Sequence, residues 1–258
     1  MRIVRFARDG QVARGVVIDD VVHSLSPENE PGTKAGDLAE LTLLAPCEPR
    51  TIVCAGSNYP GQIIEKGRPR PQRPSLFLKA PNAIADPDAA ILRPAEVRRL
   101  EYEGELAVVI GRTARDVPAD RAADYILGYT CANDVTADDW RSDGQWARAK
   151  SADTFCPLGP WIETDIPDPS ALHLTTRRNG RVVQQAAVAD MVFGVGALLA
   201  FATRWITLSP GDILLTGSPA GVGPMEPGDV VEVDIATVGT LRNTVVDRRE
   251  HESGRQMP

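Results

Sequence analysis

Glu103 and Glu105 stand two apart in the stretch EYEGELAVVIG. In a strand, residues at that spacing leave the same face. Two carboxylates side by side repel, so they need a cation, a proton or a basic partner. An exposed strand edge with solvated glutamates is the plain alternative. A second acidic cluster, in CANDVTADDW, favours chemistry. It puts Asp134 at the end of a predicted buried strand, with Asp138 and Asp139 just after it. Glu103, Glu105 and Asp134 would make an all-oxygen ligand set, which suits Mg²⁺, Mn²⁺ or Ca²⁺ rather than zinc. Three carboxylates on an octahedral ion leave about three positions open. Two could take a bidentate oxo-acid and one a water. Lys150 in RAKSADTF could offset the excess negative charge and stabilise an enolate. A solvated surface lysine is its ordinary alternative.

The stretch NYPGQIIE reads as a short helix. Pro60 opens it without losing a needed N–H, and Gly67 closes it. Gln62 and Glu65 are three apart, so they share a face. The segment LLTGSPAGVG, with Thr216, Gly217 and Ser218, is glycine-rich but lacks the Gly-Lys-Ser/Thr of a phosphate loop. Its backbone N–H groups could hold a substrate carboxylate; a turn between strands explains it as well.

The elements that must position these residues are mostly strands. MRIVRFA and ARGVVIDD flank Asp9-Gly10, a hairpin turn. RTIVCAGSNY, GELAVVIG and YILGYTCAND read as buried strands, and LHLTTRRNGRVVQQ as a hairpin turning at Asn179-Gly180. SPGDILLTG and EPGDVVEVDI each launch a strand from a Pro-Gly-Asp turn. MVFGVGALLAFATRWI is apolar enough for a long buried helix, and KGRPRPQRPSLFLKAPNA reads mostly as a surface loop. Residues 1–45 form a small β-rich unit, 46–246 the main body and 247–258 a polar tail.

Composition narrows the classes. The chain has 258 residues, with 24% charged and 43% apolar, ordinary for a globular protein. A net charge of −7 argues against nucleic acid as main partner. No apolar run approaches the ~20 residues of a membrane span, and the N-terminus lacks a signal peptide's apolar core. The four cysteines show no C-x-x-C spacing, so neither zinc nor a disulfide scaffold is indicated. A reduced, cytoplasmic protein is the expectation. His23 and His173 fall in predicted strands and His251 in the tail, so histidine chemistry has few candidates. No G-x-G-x-x-G follows a strand, which disfavours a dinucleotide site.

In order along residues 50 to 246, the motifs NY…E, LFLKAPNA, YEGELAVVIG, GYTCANDVTA, QWARAKSADTFCPLGPW, SPGDILLTGSPAGVGP and PGDVVEV resemble the fumarylacetoacetate hydrolase superfamily. The ordered set is specific, although each motif alone is weak. The resemblance implies an α+β, mostly β fold: a mixed β-roll catalytic domain, usually in a homodimer. It implies Mg²⁺ or Mn²⁺ on Glu103, Glu105 and Asp134, with a 2-oxo acid bound through carboxylate and keto oxygens. Lys150 matches the active-site lysine and Lys79 the lysine of the LFLK segment. Tyr59, Lys79, Arg141, Thr216, Gly217 and Ser218 become candidates for substrate binding. Ser218 stands where a threonine is common.

Two departures bear on the reaction. The family's lid helix carries a histidine four residues after the asparagine and a glutamate three residues later, a pair that activates water. Here Gln62 takes the histidine's place while Glu65 is kept. An amide cannot be a general base near neutral pH; Glu65 alone could be one if burial raised its pKa. In NDVTADDWR, Asp138 replaces the family's arginine and Arg141 its glutamine. The cation has moved about one helical turn, which alters substrate contact or merely preserves local charge. The first expectation is a metal-dependent hydrolase cleaving a C–C bond of an acylpyruvate-like 2-oxo acid. The second is a decarboxylase, dehydratase or keto–enol tautomerase that needs no attacking water, using Lys150 or Glu65 for proton transfer and Gln62 to orient substrate. The third is a catalytically silent binding protein on this fold.

Overall fold

A strand that is apolar on both faces must be covered on both faces, and Gly104–Ile110 is buried along its whole length. Leu106, Val108 and Ile110 enter one core, and Ala107 and Val109 enter the other. Each fully buried aliphatic side chain contributes on the order of 1.5–3 kcal/mol, so this strand is pinned from two sides. The computed structural model describes residues 1–26, 30–249 and 251.

Gly104–Ile110 pairs antiparallel with Ile126–Asn133 and Ile213–Leu215. These lie inside a twelve-stranded sheet. One side runs through Cys156–Glu163 to Arg2–Arg8, Gln11–Ile18, Val21–Leu25 and Pro31–Asp37. The other passes Ile52–Gly56 and ends at Ser75–Lys79. The N-terminal strands therefore extend the large sheet, joined by Arg2 opposite Glu163 and Ile3 opposite Ile162. A five-stranded sheet containing His173–Arg178 and Val230–Ile235 supplies Leu174 and Val233 to the first core and Val231 to the second. A small third sheet joins Thr136–Ala137, Leu100–Tyr102 and Gly223–Met225.

The expected hairpins form. Asp9 and Gly10, and Asn179 and Gly180, all take positive φ, the conformation a two-residue turn needs to match strand twist. The Pro-Gly-Asp turns precede Ile213–Leu215 and Val230–Ile235, as expected. Asp212 also caps its own turn, accepting from Ser209 N, Arg50 N and Thr51 N.

Three local expectations change. The long apolar helix covers only Val195–Thr203, because Val192 N and Phe193 N donate to Asn58 instead of entering a helix. Within the supposed Pro/Arg loop, Ser75–Lys79 is an edge strand antiparallel to Ile52–Gly56. Finally, Glu103 and Glu105 do not share one strand. The chain breaks at Glu103, with Leu100–Tyr102 in the small sheet and Gly104–Ile110 in the large one. Glu103 thus sits at the junction of two sheets. Among the described residues, no helix is long and apolar enough to cross a membrane.

Candidate active site

At that junction backbone and side chains fix the acids. Asn133 Oδ1 accepts from Glu103 N at 2.9 Å, and Glu103 O accepts from Asp134 N at 2.8 Å. Thr136 Oγ1 is 3.1 Å from Glu103 Oε1 and 2.9 Å from Asp134 O. Gly217 N donates to Glu105 Oε2 at 2.7 Å. Gly217 has φ +99°, and a Cβ there would lie 2.8 Å from Asn58 Cβ, so glycine is required for this approach. The result brings one oxygen from each of Glu103, Glu105 and Asp134 within 4.8 Å of the others, all three residues buried.

Two buried lysines face this cluster. Lys79 Nζ donates to Asp134 Oδ1 at 2.6 Å and to Val135 O at 3.1 Å. Lys150 Nζ is 2.5 Å from Asp134 Oδ2 and 3.4 Å from Glu103 Oε2, and it sits over the Phe77 ring. The electrostatics divide the acids. Burial pushes the Asp134 carboxyl up, but Lys150 and Lys79 together hold it below its ordinary value. Burial pushes Glu103 up, against the pull of Lys150. Burial, then Asp134 and Glu103, push Glu105 well above the carboxylate range. Burial lowers Lys150, yet Asp134 and Glu103 outweigh it and keep the ammonium charged.

Fully ionised, three carboxylates against two ammonium groups leave one negative charge in excess. The donors are all hard oxygens, and the two glutamates hold protons more tightly than usual. Such a cluster fits a divalent cation such as Mg²⁺ or Mn²⁺.

A cavity of about 60 Å³ opens beside the cluster, lined by Gln62, Glu103, Arg141, Lys150 and Ser218 among others. The lid helix Pro60–Glu65 forms as expected, with Pro60 in its first turn and Gly67 at φ +60° beyond its end. Gln62 is buried and faces the cavity. Glu65 is exposed and does not line it; its Oε2 accepts from Gly221 N at 3.0 Å. Residues three apart on a helix are ~60° out of line, and in this short helix that offset separates the pair.

The remaining candidates divide. Ser218 lines the cavity, and its Oγ accepts from Gln184 Nε2 at 2.7 Å. Arg141 also lines it and pairs with Asp138 one turn earlier. That ion pair explains the exchanged charges, because acid and base compensate each other locally. Thr216 Oγ1 donates to Leu106 O at 2.9 Å, which anchors the loop to the central strand. Lys79 is committed to Asp134 and lies outside the cavity lining. Tyr59 is buried in the first core with its hydroxyl unpartnered, and burial pushes that hydroxyl's pKa up, with Glu105 and Asp190 adding to it.

Sequence reasoning missed four positioning residues. Asn133 and Thr136 hold Glu103. Asn58 donates to Phe193 O and Thr216 O and accepts from Phe193 N, tying the lid to two loops. Gln184 accepts from Gly104 N and donates to Ser218 Oγ and Pro219 O. A buried amide in an apolar strand was the available signal for Gln184, yet alternation in VVQQAA does not say which glutamine turns inward.

The family described as fumarylacetoacetate (FAA) hydrolase C-terminal matches residues 51–246, and one described as Rv2993c-like, N-terminal matches residues 1–46. The chain is 40% identical over 221 residues to the mitochondrial oxaloacetate tautomerase of Xenopus laevis, covering 81% of this chain and 69% of that protein. Its fold superposes on the crystal structure of 5-carboxymethyl-2-hydroxymuconate delta-isomerase from Mycobacterium smegmatis with TM-score 0.88 and 44% identity, over 96% of this chain and 99% of that one. It superposes on maleylpyruvate hydrolase from Sphingobium sp. SYK-6, in complex with manganese(II) and pyruvate, with TM-score 0.81 and 30% identity, over 96% and 99%.

Proposed function

The chain belongs to the fumarylacetoacetate hydrolase family and is an enzyme of it, and from that premise we propose that it is a divalent-metal-dependent keto–enol tautomerase of a 2-oxo acid. One observation carries the reading. The lid side chain that faces the cavity is an amide, Gln62, while the lid carboxylate, Glu65, is held outside by Gly221 N. Attack by water calls for a base beside the cavity or a metal-activated water, whereas ketonisation of an enol calls for a proton donor to C3. In the enol-to-keto direction that the test follows, a proton reaches C3, the enol O–H proton leaves, and composition is unchanged.

Glu103, Glu105 and Asp134 would hold Mg²⁺ or Mn²⁺, and the bound ion would polarise the 2-oxo group and acidify C3. Lys150, kept as an ammonium, lines the cavity and would give a proton to C3 of the enol and regain one from the enol O–H, and its charge offsets the enolate. Gln62 offers both a donor and an acceptor, so it orients the substrate without titrating. The Ser218 hydroxyl receives from Gln184, which leaves its own proton free for a substrate oxygen.

The relatives support this reading unequally. The tautomerase and the isomerase stand at 40% and 44% identity. The manganese- and pyruvate-bound hydrolase, at 30%, favours a second reading, C–C hydrolysis of an acylpyruvate. The test supplies Mg²⁺ or Mn²⁺ with enol oxaloacetate and follows enol absorbance, then product mass in deuterated water. Faster loss of enol with deuterium at C3 and no other mass change supports tautomerisation. Products that together gain the mass of water establish hydrolysis instead.

A further inference from the structure

We propose that Arg68 selects the substrate by taking the far carboxylate of a dicarboxylic 2-oxo acid. The inference rests on the 2-oxo acid reading of this cavity and adds the residue that reads the substrate's other end.

The argument begins with charge. The acid cluster with its two lysines carries one excess negative charge, and a divalent ion turns that into one positive charge. One substrate carboxylate then neutralises the centre. A second carboxylate needs a second, unspent cation. Besides Lys150, the cavity is lined by Lys66, Arg68 and Arg141. Arg141 is spent on Asp138, and Lys66 lies 3.7 Å from the buried Glu101. Among the described residues, Arg68 has no carboxylate within ion-pairing distance; its Nη1 donates only to the Ser57 hydroxyl, at 3.1 Å.

The backbone holds this arginine in place. Gly67 takes φ +60°, Gly67 N donates to Ile64 O, and Arg68 N donates to Ile63 O. These two bonds make the paired closure typical of a helix ending in left-handed glycine. Arg68 therefore sits against the end of the lid helix rather than on the loop that follows. Ser57, itself at φ +52°, lines the same cavity and receives the guanidinium. One edge of the fork is used and the other is left for a planar anion, which guanidinium binds in bidentate fashion. The helix before it supplies Gln62 to the same cavity lining, so one short stretch of chain would contact the substrate twice.

The test measures binding to the Mg²⁺-loaded protein, apart from turnover. Pyruvate carries the near-end carboxylate and keto oxygen and no far group; oxaloacetate carries both ends. Arg68→Ala is expected to weaken oxaloacetate about tenfold, as for one partly exposed charge-assisted contact, and to leave pyruvate unchanged. Arg68→Lys should recover part of the loss. Equal weakening of both ligands, or no change in either, overturns the assignment. Failure of the wild-type protein to bind oxaloacetate overturns it together with the 2-oxo acid reading. Arg68-dependent binding without tautomerisation sustains the assignment and refutes the reaction alone.

Discussion

Glu105→Gln should move stability in opposite directions with and without metal. Glu105 is 1% exposed, lies beside two other carboxylates and has a proton affinity well above normal. A carboxyl whose folded pKa is raised stabilises the fold below its unfolded pKa, and that stability is lost as pH rises through the folded value. At pH 8 the metal-free wild type therefore carries the cost of either burying that crowded charge or taking up a proton to neutralise it. Glutamine removes the charge and keeps an oxygen for Gly217 N. Relief of a buried, unmatched charge is worth on the order of 1–3 kcal/mol. At ~2–4 °C per kcal/mol for a chain of this size, Tm of the metal-free variant should rise by several degrees. The gain should fade toward about pH 4, where the wild-type carboxyl is protonated as well. Metal reverses the ranking. A wild-type protein at a hundredfold excess over Kd gains about 2.7 kcal/mol, and the variant should lose most of that. Differential scanning calorimetry of both proteins at pH 4 and pH 8, with chelator or with Mn²⁺, reads all these shifts. A variant less stable than wild type in chelator at pH 8, or one that keeps the full Mn²⁺ shift, would refute the reasoning.

The lid makes two further predictions. Glu65→Gln should leave the tautomerisation rate within about threefold, because Glu65 lies outside the cavity; a hundredfold loss, the ordinary scale for removing a general base, would restore Glu65 to the chemistry. Gln62→His should raise acylpyruvate cleavage, measured by release of pyruvate, while leaving metal affinity unchanged, since Gln62 does not touch the acid cluster; unchanged cleavage would mean that a histidine at this position is insufficient without an inward carboxylate.

What could be read in the sequence was local. GELAVVIG is an apolar run between glycines, and its period and length suffice to identify a central strand. Asp9-Gly10 and Asn179-Gly180 encode their turns in backbone preference alone. The acid triad was legible from residue type, because three carboxylates near strand ends are costly without a partner. What escaped depends on long-range hydrogen bonds. Asn58 and Phe193 are 135 residues apart, and their pairing delays the helix that hydropathy alone would start earlier. Tyr102 and Gly104 look continuous, yet the sheets they join diverge at Glu103. The Lys79 side chain lies in an edge strand that a Pro/Arg-rich composition conceals, and only the tertiary fold brings it to Asp134.

The two lysines give the three acids different work. Both oxygens of Asp134 are engaged by ammonium groups, and its pKa is held down. Glu103 and Glu105 have raised pKa values; Glu103 meets the Thr136 hydroxyl and, at 3.4 Å, the Lys150 ammonium, while Glu105 meets one amide N–H. The unmet demand for a cation therefore lies mainly with Glu105, while Asp134 is ion-paired to two buried lysines. Asp134→Asn should then differ in kind from Glu105→Gln. It would leave Lys79 facing a neutral amide and Lys150 with Glu103 alone, both lysines being 2% exposed. Uncompensated buried charge costs roughly 3–5 kcal/mol, so the metal-free Asn variant should melt about 6–20 °C below wild type. The Gln variant should melt above it. Urea denaturation in chelator gives the same comparison as a free energy. Equal stability of the two variants would show that the lysines are satisfied without Asp134, and the division of labour among the acids would fall.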